Sequence, residues 1–283
     1  MQKITTKEEY HRRINVLIEY INNHLSENID LNRLAELSGF SRWHFHRVVS
    51  AFLGEPVGSF IIRMRVETAA RLLRYTELPI QEISWRVGYD APSSLSKLFK
   101  QFYGISPNEY RMNKDYTIMK PEMIKPDLNI DAKVKEVPAL QVIYIRLTGD
   151  YKMNDYGGTW MKLCAYAQQQ GLPMGDCPLC IYHDDPKVTA PEKLRTDVCM
   201  VLPVPGIAKG EVGAKVIPAG RCATFLYKGS YADLQAVYDT IYARLIPEMG
   251  CTLRDDPSYE RYLNDPCTTP PEELLTEICI AVE

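Results

Sequence analysis

Two parts of this chain are each written twice, and a stretch written twice must fold into the same unit twice. In the front part, Leu34, Gly39 and Phe40 correspond to Ile83, Gly88 and Tyr89 at an offset of 49. Phe45, Arg47, Val48, Phe52 and Gly54 then correspond to Leu95, Lys97, Leu98, Phe102 and Gly104 at an offset of 50, so the second copy carries one extra residue in its turn. In the rear part the offset is 80. There "VPALQVIYIRLTGDY" lies over "IPAGRCATFLYKGSY", and "YHDDPKVTAPEKLRTDVC" lies over "YLNDPCTTPPEELLTEIC" with nine identities in eighteen positions. The two repeats differ in length and in period, so they predict two domains of different class.

The front repeat is helical. Ile14, Leu17, Ile18, Ile21 and Leu25 are spaced by three and four, the stripe of an amphipathic helix. A short helix follows Asp30, a suitable N-cap. Gly39 supplies the positive φ of a tight turn, and Ser41 can cap the next helix. "PVGSFIIRMRVETAARLLRYT" reads as a long linking helix with Pro56 in its first turn. Pro79 opens another short helix, and Ser106 with Glu109 forms a capping box for a last one. A short helix, a glycine turn and a second helix, occurring twice, is a tandem helix-turn-helix.

"SRWHFHRVV", residues 41–49, tests that reading. On the helix after Ser41, Phe45, Val48, Val49 and Phe52 form the inward stripe, and Arg42, Trp43, His46 and Arg47 fall largely on the other face. His44 and His46 are two apart and point about 200° from each other, so they cannot share a metal on one helix. Arginine for guanine edges or phosphates, histidine as an adaptable donor and tryptophan for apolar contact suit a DNA major groove. The plain alternative is a half-buried tryptophan with solvated arginines; the duplicated framework favours DNA.

Residues 5 to about 112 resemble the DNA-binding domain of the AraC/XylS transcription regulators. "LAELSGFSRWHFHRVVSAFLGEPVGSFI" and "ISWRVGYDAPSSLSKLFKQFYGISPNEYR" carry the resemblance. It implies that both recognition helices of one polypeptide enter successive major-groove segments of double-stranded promoter DNA. Trp43, His46 and Arg47, with Arg42 beside them, occupy base-reading places of the first helix; Pro92, Ser93, Ser94, Ser96 and Lys97 occupy those of the second. Several relatives have glutamines and arginine where this chain has Pro92, Ser93 and Lys97, so the second helix is expected to grip phosphate more than to read bases. Arg63, Arg65, Lys100 and Arg111 are further phosphate candidates, or ordinary surface charges.

The segment from Lys114 to Lys133 has no sustained period and reads as a linker or extended arm. The organisation expected is therefore a DNA-binding domain over 1–114, a linker over 115–131 and a second domain over 132–283. After the linker, "LQVIYIRLTG", "RTDVCMVLPV", "RCATFLYKGS" and "LTEICIAVE" are strand-like, with helical stretches between them. Each half then reads strand, helix, strand, strand. Two halves make a pseudo-twofold α+β domain whose central seam is a natural ligand cleft.

Asp197 and Glu277 hold equivalent places in the two copies, each among apolar strand residues. Alternation puts Glu277, Cys279 and Ala281 on one face and Ile278, Ile280 and Val282 on the other. A buried acid is costly unless paired. Two readings stand: a structural salt bridge, or a carboxylate facing a cavity lined from the twelve tyrosines and the one tryptophan, Trp160, that follow residue 114. Such a cavity attracts cationic, aromatic or lipophilic molecules.

Residues from about 130 to the end are similar to the GyrI-like effector-binding domain, of SHS2-type repeats, which also occurs in multidrug-sensing regulators. "DDPKVTAPEKLRTDVCMVLP" and "TEICIAVE" carry this second resemblance. It implies a small lipophilic or cationic effector and a strand glutamate, mapped here to Glu277, at the polar centre of the pocket. From position, Trp160, Tyr227 and Tyr262 are expected to line it. Together the two resemblances imply an effector-responsive regulator with RNA polymerase as a further partner and no cofactor.

The bulk numbers agree with two partners of different kind. Residues 1–114 carry 16 Lys and Arg against 12 Asp and Glu, the remainder 17 against 24. No run of eighteen apolar residues exists, and the start, "MQKITTKEEYHRR", lacks an apolar signal core, so a cytoplasmic protein without a membrane span is expected. All eight cysteines lie at or after Cys164. Cys177 and Cys180 have zinc-like spacing with His183 nearby, but no second pair accompanies them, so reduced structural thiols are expected. No nucleophile-base-orienter triad is legible. Hydrolysis or sequestration of a reactive toxin, or a protein-docking role, remains the alternative for the rear domain.

Overall fold

The structure is a computed structural model describing residues 6–40, 42–113, 128–173, 178–254 and 256–283, the side chains of residues 6–8 and 42–44 excepted. The chain forms two compact units, one of helices up to Met112 and one built on a sheet from Ile130 onward. Ser41, Cys177 and most of the expected linker lie outside the described residues.

In the first unit, helix α1 (Thr6–Asn23) buries Ile14, Leu17, Ile18 and Ile21, the stripe that the periodicity predicts. Helix α2 (Leu31–Ser38) starts where the Asp30 carboxylate accepts the Asn32 backbone N–H at 2.9 Å and stops at Gly39, φ 64°. Helix α3 (Arg42–Leu53) follows, and helix α4 (Val57–Tyr75) links to the second copy, with Pro56 at the cap rather than inside the first turn. Helix α5 (Ile80–Arg86) and helix α6 (Pro92–Tyr103) repeat the α2–α3 pair, with a longer turn between them. Helix α7 (Pro107–Met112) closes the unit. Its capping box is reciprocal: Ser106 N–H donates to Glu109 Oε2 at 2.7 Å, and Glu109 N–H donates to Ser106 Oγ at 3.3 Å.

Gly88 sits in the second turn at φ 79°, and a Cβ there would stand 2.4 Å from the Leu25 carbonyl oxygen and 2.7 Å from Arg65 Nη2. Arg65 donates to the Leu25 and Glu27 carbonyls at 3.0 and 2.5 Å and lies over the Tyr89 ring. One guanidinium thus ties the α1–α2 loop to the turn of the second copy, at a point where only glycine fits.

The second unit is an eight-stranded antiparallel sheet. Its elements are β1 (Ile130–Val137), β2 (Leu140–Thr148), helix α8 (Tyr156–Gln170), β3 (Pro178–Tyr182), β4 (Arg195–Leu202), β5 (Val212–Ile217), β6 (Gly220–Lys228), helix α9 (Leu234–Thr240, running on as a π-turn over Ile241–Leu245), β7 (Ser258–Tyr262) and β8 (Leu275–Ala281). Each half therefore carries one more leading strand than the composition suggested. Strands β1 and β5 are these additions; β1 begins at Ile130, within the segment read as linker.

The sheet order is β1-β6-β8-β7-β3-β4-β2-β5. Strands β1 and β2 are six places apart in it, about 29 Å at 4.8 Å per strand. Yet only Pro138 and Ala139 join them, a reach of about 11 Å. The sheet must therefore curl until its two ends meet. The registers show where: Val137 pairs with Gly220 beside the Leu140–Ile217 pair, so the Pro-Ala links of both copies lie at one crossing. That explains why Pro138/Pro218 and Ala139/Ala219 are identical in the two copies.

Helices α8 and α9 cover one face of the sheet. Leu163 and Ala167 pack on Ile143, Val198 and Met200, while Val237 and Ile241 pack on Ala223, Phe225 and Ile278. Burying each of the larger of these side chains stabilises by about 1.5–3 kcal/mol before the entropic cost. The other face carries a cluster of strand residues alone, including Val142, Tyr144, Leu179, Cys199, Tyr259 and Cys279. It is the inside of the curl.

Candidate DNA interface and effector site

On α3, Phe45 and Val49 are fully buried and His46 and Arg47 are exposed, so the inward and outward faces separate as the spacing requires. Phe52 departs from the expected stripe. It is 37% exposed and stands edge-on to Tyr10 and His11. The side chains of Arg42 and Trp43 lie outside the described residues. On α6, Leu95 and Phe99 are buried, Ser93, Ser94, Lys97 and Lys100 are exposed, and Pro92 and Ser96 are half-buried.

Three of the four phosphate candidates have structural work instead. Arg63 is 7% exposed and pairs with Glu55 at 2.8 Å and Glu67 at 3.0 Å. Arg65 braces the two copies as described, and Arg111 donates to the Leu78 carbonyl at 2.5 Å. Sequence could not separate these from solvated cations, because only the fold shows that α4 is buried nearly all round.

In the second unit the two acids singled out by the repeat, Asp197 and Glu277, share the inner face and both end in ion pairs. Asp197 is fully buried. It accepts Arg146 Nε at 2.6 Å and Nη2 at 2.7 Å, Lys215 Nζ at 2.5 Å and His183 Nε2 at 2.8 Å. Burial alone would raise its carboxyl, but Arg146, Lys215 and His183 hold it well below the usual range. Burial, with Arg146 and Lys215 adding to it, depresses the His183 imidazole to about 4 against the pull of Asp197. Glu277 pairs with Lys135 at 2.5 Å and Arg261 at 3.0 Å. Lys135 and Lys215 are themselves equivalent at the offset of 80, so one acid–lysine clamp recurs in both copies.

Glu277, expected at the polar centre of the pocket, is therefore held by two cations, and the period of two turns it toward the inside of the curl with Cys279. Tyr227 is also displaced from its expected role. It is 2% exposed in the packing under α9, its hydroxyl 3.5 Å from the Ser230 carbonyl oxygen and from Asp233. Trp160 and Tyr262 do share a neighbourhood, both packing on the cluster under α8.

The carboxylate on the helix-covered face is Glu260, on β7. It is 2% exposed, and Tyr262 donates to its Oε2 at 2.7 Å. Tyr182 stands 3.0 Å from the Tyr262 hydroxyl, and the rings of Tyr151 and Tyr231 lie edge-on to Tyr182 and Tyr262. Burial pushes the Glu260 carboxyl up to about 7, against the opposing pull of the Tyr262, Tyr238 and Tyr182 hydroxyls. Among the described residues it has no ion pair. In register it faces Cys180, which is also its equivalent at the offset of 80. The pseudo-twofold axis thus passes between Glu260 and Cys180, at the seam of the two halves.

Sequence reasoning missed Glu260 because "SYERY" is too short and polar to stand out as a strand. The signal was available: shifting by 80 lays "PLCIY" over "SYERY" and puts a carboxylate at the seam itself. Among the described residues no group of three or more His, Cys, Asp or Glu could hold a metal ion, and Cys180 is a buried thiol raised by burial.

Residues 131–283, more than half of the chain, match the model of the GyrI-like small molecule binding domain, and residues 34–113 match that of a helix-turn-helix domain. The chain belongs to the AraC-type transcription regulators with a GyrI-like domain. The transcriptional activator AarP of Providencia stuartii is 32% identical over 114 residues, 39% of this chain and 84% of that protein. Regulatory protein SoxS of Salmonella typhimurium is 32% identical over 98 residues, 35% of this chain and 92% of that protein. A DNA gyrase inhibitor of Serratia proteamaculans is 34% identical over 139 residues, 47% of this chain and 86% of that protein. Each relative answers to less than half of this AraC-type regulator, whose helical unit binds DNA and whose sheet unit is of the small-molecule-binding class. No helix among the described residues is long and apolar enough to cross a membrane.

Proposed function

We propose that this regulator senses a lipophilic cation, which binds against Glu260 and changes the protein's action at a promoter. The observation that carries the reading is the buried, unpaired carboxylate at the seam, ringed by tyrosines and without a described cation. An ionised carboxylate in such surroundings is costly by itself, and aromatic faces with a single acid attract cations strongly once water is excluded. The two copies supply the walls and the axis supplies the charge.

In this reading His46 and Arg47 read bases, with Arg42 and Trp43 beside them, while Ser93, Ser94, Lys97 and Lys100 hold the second helix on phosphate. Their exposure supports the assignment. Contact with RNA polymerase belongs to the same reading. The effector acts only if it favours one global state over another, so tight binding alone shifts nothing.

The test is calorimetric titration of the full chain with tetraphenylphosphonium and with the neutral triphenylphosphine oxide. Glu260→Gln should weaken the phosphonium at least tenfold and leave the neutral compound within about twofold, whereas Glu277→Gln should change neither. Equal loss for both compounds would make Glu260 a packing residue. No binding by the phosphonium or by other aromatic cations would end the effector reading.

A further inference from the structure

Among the described residues, the charged and titratable groups near Glu260 come from the elements that pack on it. Strand β3 presents Cys180 and Tyr182, and β7 itself presents Tyr262. On β8 the register partner is Ile278, which is apolar. Helix α9 presents Tyr238, whose buried hydroxyl helps to hold the Glu260 carboxylate, and Asp239, which is held by Lys187 from the loop after β3. Tyr156 of α8 stands beside Tyr182. Arg261, the nearest cation along β7, points to the opposite face and pairs with Glu277. Among the described residues the groups that act on it are therefore hydroxyls, with a thiol opposite in register, while the acid on α9 is already paired with Lys187.

We propose, resting on the reading of Glu260 as the ligand carboxylate, that this site exchanges one proton for one positive charge. Where Glu260 is protonated, below about neutral pH, a permanent monocation enters as that proton leaves to solvent. The count of one follows from the axis. A strict duplication would place a second glutamate opposite the first, and two carboxyls sharing a site would match a dication once both had ionised. Cys180 takes that second place, and burial keeps its thiol neutral. The geometry thus selects ligands with a single charge that can lie on the seam. It also makes the affinity for them depend on pH through neutrality, because the carboxyl stands at about 7.

The sign follows from linkage. A cation that binds only the carboxylate form competes with the proton, so its affinity falls as pH drops below the free-protein value. With that value near 7, binding weakens about tenfold between pH 8 and pH 6. At pH 7 about half a proton is released per cation bound, and close to one at pH 6.

Tetraphenylphosphonium does not titrate, so it isolates the protein's proton. Titration calorimetry of the full chain in two buffers of different ionisation enthalpy, at pH 6, 7 and 8, reads both quantities. Glu260→Gln should abolish proton release and flatten the pH profile. Tyr262→Phe removes a donor that favours the carboxylate, so it should shift the profile to higher pH while leaving the fold in place. Binding that is equally tight at pH 6 and pH 8 with no proton release would overturn the exchange and leave the effector reading standing. Release of clearly more than one proton would overturn the count. Absence of phosphonium binding at all three pH values would overturn the effector reading and this inference with it.

Discussion

Asp197→Asn and Glu277→Gln make the same change at equivalent positions of the two copies, and the structure predicts different costs. Asp197 is fully buried, and its partners are nearly so: the Arg146 side chain is 6% exposed and Lys215 16%. Neutralising the acid leaves two cations facing each other inside the curl, and breaking such a buried pair costs about 3–5 kcal/mol. Asparagine keeps the volume and one acceptor, so the lower end, about 3 kcal/mol, is expected. Glu277 pairs with Lys135 and Arg261, which are 42% and 37% exposed, and an ion pair that open to water contributes about 1 kcal/mol or less. For a domain of this size the Asp197 variant should melt about 6–12 °C lower and the Glu277 variant no more than about 4 °C lower. Urea and thermal unfolding followed by Trp160 fluorescence, with Trp43 and Trp85 replaced by phenylalanine, reads the sheet unit alone. Equal costs at the two positions would refute the claim that burial, rather than the pairing itself, decides the penalty.

His183 is held near 4 in the folded chain against about 6.5 unfolded, so the unfolded state binds the extra proton between those values. Its contribution is fully present above about pH 6.5 and is lost as pH falls to 4, a span worth about 3 kcal/mol. His183→Gln should flatten denaturant stability over that window, and an unchanged slope would remove His183 as the titrating group. Gly88→Ala should destabilise the helical unit by more than the roughly 1 kcal/mol of a strained left-handed residue, because the new methyl meets the Leu25 carbonyl; circular dichroism melting measures it. Arg47→Ala should cost specific DNA affinity by about 1–3 kcal/mol and relax the base preference at one position. Lys100→Ala should weaken all sequences alike and flatten the salt dependence, as read in binding titrations at several salt concentrations. Identical effects of the two would mean that neither reads bases.

The chain's own pattern determined a good deal. Two offsets in the sequence determined two units, and the three-and-four spacing of Ile14, Leu17, Ile18 and Ile21 determined a buried stripe. Asp30, Gly39, Ser106 and Glu109 determined where helices stop and start, because caps and left-handed turns are decided by one or two residues and their neighbours. The extra strands β1 and β5 were not legible. They are half-polar, and their pairing partners lie in the other copy.

The site turned on the same distinction. Alternation along β8 correctly separated Glu277 from Ile278, but a period of two says only that faces differ, not which face meets helices and which lies inside a curl. The short Pro-Ala links and the sheet order decided that, through connectivity across some ninety residues. So did the fate of the charges. Asp197 and Glu277 became paired structural acids because Lys215 and Lys135 arrive from distant strands, whereas Glu260, the least conspicuous acid in the sequence, was left at the axis with tyrosines for company. Whether a buried carboxylate is a clamp or a binding centre depends on which cations reach it, and that is a property of three-dimensional neighbours.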